Sequence, residues 1–123
     1  MENSFYTNVL QTFCDKYSAF NKNKKFRFVL ESRLSLAVTN LIAKQQFSNK
    51  PIYYEEICRL IPHSYGSRST IQLLLNDGLV LQVYDKENHN TDKRLRVYNI
   101  HPKFMPDYKT WLDFIAPRYK KSA

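Results

Sequence analysis

Glycine is nearly missing from this chain: its 123 residues include two, Gly66 and Gly78. Loops that cradle phosphates need several glycines so that the backbone can approach the ligand, and such loops are excluded. Cysteine is equally scarce. Cys14 and Cys58 lie far apart and form no Cys-x-x-Cys pair, which leaves neither a zinc spacing nor a disulfide framework and predicts reduced thiols in a cytoplasmic protein. His63, His89 and His101 show no metal-ligand spacing, so neither a metal nor a cofactor is expected. No apolar run approaches the roughly 18–20 residues of a membrane span. The opening Met1-Glu2-Asn3-Ser4 lacks the basic-then-apolar order of a secretory signal. Strings of the Gly-x-Ser-x-Gly, His-Glu-x-x-His or Walker type do not occur, and the neighbouring Glu55 and Glu56 point in different helical directions. No enzyme is expected.

The chain is 43% hydrophobic and 15% aromatic, which suits a folded globule. Its length predicts a single domain over residues 1–123. Lys and Arg number 19 against 11 Asp and Glu, a formal charge of +8. That balance favours a polyanionic partner, either nucleic acid or an anionic membrane surface. The basic residues are spread out rather than gathered on one helix face, which speaks against the membrane.

Apolar periodicity predicts a first helix over about 4–20, where Phe5, Val9, Phe13, Tyr17 and Phe20 share a face. So aromatic a stripe must be buried, either in the domain core or against a second subunit. The basic run 21–25 reads as a loop. A long helix is expected from Arg27 to about Gln46, with Leu30, Leu34, Val38, Leu41 and Ile42 on one face, ended by the stretch before Pro51. Ile52-Tyr53 suits a short edge strand. A brief helix over 54–60 follows, with acids in its first turn and Ile57, Leu60 and Ile61 inward. Pro106 opens a last helix over 106–117, patterned by Tyr108, Trp111, Leu112 and Ile115 and ended by Pro117. Arg118 to Lys121 form a basic tail.

The stretch 64–100 carries the functional signal. A helix capped by Ser64 or Ser67 turns Ile71, Leu74 and Leu75 inward and stops at Asn76-Asp77-Gly78, with Gly78 suited to a left-handed position. A strand-like run 79–84, a charged loop 85–93 and a second strand over 94–100 follow. Helix, strand, charged loop and strand form the layout of a DNA-recognition helix followed by a β-wing. Tyr65, Ser67, Arg68, Ser69, Thr70 and Gln72 supply the short polar and basic side chains that reach base edges in the major groove, with Arg68 suited to guanine and Gln72 to adenine. Lys86, Lys93 and Arg94 are the wing's candidate contacts. The plainer alternatives are a solvated helix face and a charged hairpin tip with an Asp92–Arg94 contact.

Four local strings, Ser-Arg-x-Thr-Ile at 67–71, Gly78-Leu79-Val80, Asp92-Lys93-Arg94 and the exit 99–103, together resemble the winged helix-turn-helix of MarR-type transcriptional regulators over roughly residues 4–115. The chain departs from that pattern in being short, in its single C-terminal helix, and in an interval from Thr70 to Gly78 about one turn shorter than usual. The resemblance implies a mainly α fold with a small β-wing (α+β), its winged core over 27–100. It also implies a homodimer built from the N- and C-terminal helices, here Phe5, Val9, Phe13, Tyr108, Trp111 and Ile115, with Arg94 entering the minor groove. Some regulators of this type sense oxidants through a first-helix cysteine, which would be Cys14; the plain reading is a packed thiol. Others bind a small-molecule effector, which no residue here demands. The expected function is sequence-specific binding of double-stranded DNA by a transcriptional regulator. The alternative is a winged-helix module that grips a protein partner such as a polymerase or replication factor.

Overall fold

The computed structural model describes residues 2–88 and 95–116. Six helices and one hairpin follow in the order α1 (Glu2–Asn21), α2 (Lys24–Leu30), α3 (Arg33–Phe47), α4 (Tyr54–Leu60), α5 (Arg68–Val80), β1 (Tyr84–Asn88), β2 (Arg96–Ile100) and α6 (Met105–Ile115). The strands pair antiparallel with Tyr84 opposite Ile100 and Asn88 opposite Arg96. The architecture is a winged helix-turn-helix of the α+β class: α3 supports, α4 and α5 are joined by the turn 61–67, and the hairpin follows α5 directly.

The core gathers where α2, α3, α4, α5 and the hairpin converge, around Val29, Val38, Ile42, Ile57, Leu75 and Tyr84. It contains two tyrosines whose hydroxyls are satisfied internally. Tyr84 Oη and Thr39 Oγ1 lie 2.6 Å apart, and Tyr108 donates to Asn40 Oδ1 at 2.8 Å. Burial pushes the Tyr84 phenol well above its ordinary value and that of Tyr108 up to about 12.

Several sequence expectations are corrected by this packing. The aromatic stripe of α1 is not core: no residue of α1 is buried, and Phe5 stays 63% and Phe13 54% exposed. Only Phe20, at its end, packs on the core, against Phe26. The long helix expected from Arg27 breaks at Glu31-Ser32. Ser32 accepts from the Ser35 amide and Ser35 Oγ accepts from the Ser32 amide, a reciprocal cap that starts α3 afresh. The basic loop shrinks because Asn23 caps α2, its side chain accepting from the amides of Lys25 and Phe26. Ile52 makes one backbone bond to β2, from Tyr98 N–H to its carbonyl, rather than a strand. Leu60 is exposed, not inward.

The junction after α5 differs most. The cap is Ser67, not Ser64, and α5 runs through Asn76-Asp77-Gly78 to Val80. Gly78 is helical and buried, and the left-handed residue is Gln82, with φ 61°. The expected strand 79–84 is therefore helix and turn up to its last residue, and Asp85 to Asn88 are strand rather than loop. In β2, Val97 and Tyr98 are both buried, because one side of the hairpin faces the segment 46–51 and the other faces α4 and α5. The last helix spans Met105–Ile115, with Pro106 in its first turn. Pro117, the basic tail and the wing tip 89–94 lie outside the described residues.

Candidate nucleic-acid interface

The cap and first turn of α5 carry four of the nine sequence-predicted contacts, Ser67, Arg68, Ser69 and Thr70. Ser67 ends the preceding turn in extended backbone, and its hydroxyl accepts from the Thr70 amide at 3.3 Å. That hydroxyl also lies 3.0 Å from both Ser69 Oγ and Thr70 Oγ1, so three exposed hydroxyls cluster where α5 begins. The free amides of a helix start, together with such hydroxyls, suit an anionic oxygen.

Arg68 is the first residue of α5, and its side chain is 57% exposed. Its guanidinium donates from Nη2 to Glu55 Oε1 at 2.6 Å and lies over the Tyr54 ring, 5.3 Å from the centroid. Tyr54 Oη donates in turn to the Arg68 carbonyl at 3.1 Å. The bond to Glu55, then its charge, hold the Arg68 pKa above its usual value.

Three predicted contacts sit differently. Gln72 is half-buried and donates to Asn76 Oδ1 at 3.1 Å, with Tyr98 of β2 nearby. Burial raises the Tyr98 pKa, and the neighbouring Gln72 works against the rise. Tyr65 is half-buried under the Arg33 guanidinium, 4.7 Å from its ring centroid. Lys86 is exposed on β1, opposite Tyr98, instead of in a loop. Lys93 and Arg94 lie outside the described residues.

Sequence reading missed three neighbours of this surface. Tyr54 and Glu55 reach Arg68 across the helix-turn-helix turn, a separation that helical periodicity does not register. Leu73, one turn after Ser69, is 65% exposed on the same helix; the Ser69–Leu73 spacing was the available signal. Beneath Glu55 and Arg68 lies an open hollow of about 290 Å³ also lined by Glu56, Arg59 and His63. Among the described residues, no cluster of three or more His, Cys, Asp or Glu side chains has metal-binding proximity. Nor is any helix among them long and apolar enough to cross a membrane.

These elements define a winged-helix protein. No family model and no curated protein matches the chain. Among solved structures it is similar to MarR, at 12% identity and TM-score 0.48, covering 95% of this chain and 85% of that one. It is similar to ZitR of Lactococcus lactis, at 12% identity and TM-score 0.47, covering 94% and 79%. It is also similar to the transcriptional regulator BldR of Sulfolobus solfataricus, at 10% identity and TM-score 0.48, covering 94% and 85%. The winged-helix assignment itself rests on the chain's own helices, turn and hairpin.

Proposed function

We propose that this chain is a transcriptional regulator that binds double-stranded DNA as a homodimer, with the N-terminal end of α5 in the major groove and the wing over the adjacent minor groove. The observation that carries this reading is the placement of Arg68. A solvent-exposed arginine begins the second helix of a helix-turn-helix, beside a cluster of exposed hydroxyls and the open amides of the helix start. Ser67, Arg68, Ser69 and Thr70 would lead into the groove. Lys86, with Lys93 and Arg94 beyond it, would contact phosphate and the minor groove. The net charge of +8 acts in the same direction.

The test is selection of bound duplex from a random pool at two salt concentrations, followed by anisotropy titrations of variants. Arg68→Ala is expected to weaken the selected duplex roughly 5- to 150-fold and relax preference at one base pair. Lys86→Ala is expected to weaken all duplexes about equally and lower the salt slope by about one. Unchanged affinity in both Arg68→Ala and Arg94→Ala would sink this reading.

A second reading, a module that grips a protein partner, is favoured by one observation. Leu73 and Val80 on α5 are 65% and 82% exposed, which is unusual for a helix face that meets only phosphate and base edges. Wild-type protein without salt-dependent duplex binding would move that reading ahead.

A further inference from the structure

Three contacts converge on Arg68 from two consecutive residues at the start of α4. Glu55 takes one Nη2 hydrogen at 2.6 Å, the Tyr54 ring lies 5.3 Å beneath the guanidinium carbon, and the Tyr54 hydroxyl holds the Arg68 carbonyl at 3.1 Å. Packing accounts for Tyr54, which is half-buried against the core, but fold stability does not account for the ion pair. Glu55 and Arg68 are 73% and 57% exposed, and ion pairs so solvated contribute little to folding. The helix dipole explains an acid in the first turn of α4, but it does not require that acid to reach across to α5.

The contacts do restrict a long, rotamer-rich side chain. A guanidinium carries five N–H donors in a planar fork, so one hydrogen given to Glu55 leaves donors for the O6 and N7 acceptors of a guanine. An arginine ordered before docking loses less freedom on docking. The Glu55 carboxylate has a second consequence of opposite sign: it sets a negative charge beside a surface that approaches phosphates, which penalises contact with any duplex that offers no base partner for Arg68.

From this geometry we infer that Glu55, assisted by Tyr54, is a positioning residue that orients Arg68 for one guanine and suppresses binding to other sequences. The inference rests on the DNA-binding reading above and adds to it a residue that acts through Arg68 without touching a base.

The experiment compares wild type, Arg68→Ala and Glu55→Gln on the duplex selected by the wild type, on its base-pair variants, and on an unselected duplex of equal length. Glutamine keeps the size of the side chain and removes its charge. Arg68→Ala is expected to abolish preference for guanine at one base pair. At that same pair Glu55→Gln is expected to reduce the preference about threefold or more, while binding the unselected duplex more tightly than wild type. Such opposite changes are not produced by a loss of folded protein. The inference is overturned if Glu55→Gln keeps the wild-type guanine preference, if it weakens every duplex by one common factor, or if Arg68→Ala abolishes no guanine preference. A wild-type chain that binds no duplex overturns the DNA-binding reading, and this inference with it. Wild-type binding combined with any of the first three results overturns this inference alone.

Discussion

A Cβ added to Gly78 would overlap the ring of Tyr84, which is fully buried and shares a hydrogen bond with Thr39. The glycine is required there by close approach, since its backbone is ordinary helix. Gly78→Ala is therefore expected to destabilise the fold by about 1–3 kcal/mol, despite alanine's better helix propensity. Urea melts should show a lower midpoint at unchanged slope. The buried phenols make a second prediction. The folded-state pKa of Tyr108 is raised to about 12 by burial, above an unfolded value of about 10. Its neutral form therefore stabilises the fold fully below pH ~10, and that contribution is lost as pH rises toward about 12. Each such tyrosine steepens the alkaline fall by roughly 1.4 kcal/mol per pH unit in that window. Denaturation at stepped pH should show the fall, and Tyr108→Phe should make it shallower; an equal slope in the variant would refute the assignment.

The break between α2 and α3 depends on two serines. Ser32 and Ser35 cap each other's amides, and Ser35 Oγ donates at 2.9 Å to the carbonyl of Val29 in the last turn of α2. Ser32→Ala is expected to cost about 0.5–2 kcal/mol, read as a lower thermal midpoint. An unchanged midpoint would mean that packing of Phe28 and Leu34 alone sets the angle. Such a cap is hard to read in advance, because Ser32 sits inside an apolar period that continues from Leu30 through Leu34 to Val38 and the third position holds serine rather than glutamate or glutamine. Elements with local punctuation were legible: α4 from its acidic first turn, and α6 from Pro106. The α5 exit was not. Asn76-Asp77-Gly78 is strong turn chemistry, yet packing of Gly78 on Tyr84 keeps it helical. The candidate site divides along the same line. Arg68, Ser69 and Thr70 followed from helical spacing against Ile71 and Leu75, whereas the hold of Tyr54 and Glu55 on Arg68 exists only once the turn 61–67 has folded.

At the scale of the whole molecule, α1 poses an energetic problem that a second copy of the chain would resolve. A helix of 20 residues with no buried side chain gains little from its own fold beyond the packing of Phe20, and helices in proteins draw most of their stability from packing an apolar face. Its apolar stripe continues into α6: Phe5, Val9 and Phe13 line an open apolar groove with Phe114, and the Phe13 and Phe114 ring centroids are 6.3 Å apart. Two such faces laid together would cover helices about 30 Å long, enough to reach the roughly 1,200 Å² of a stable interface. Pairing them through a two-fold axis would also set two α5 helices at a fixed separation, as a palindromic site requires. Equilibrium sedimentation of the wild type is expected to give a dimer, and Val9→Asp combined with Phe13→Asp a monomer. Because α1 does not build the core, the monomeric variant should keep its winged helix-turn-helix while losing helical signal by circular dichroism and amide protection over 2–21. It should also bind a two-half-site duplex no more tightly than a single half-site. A wild type that sediments as a monomer, or a double variant that remains dimeric, would reject this use of α1 and leave its aromatic stripe to a different partner.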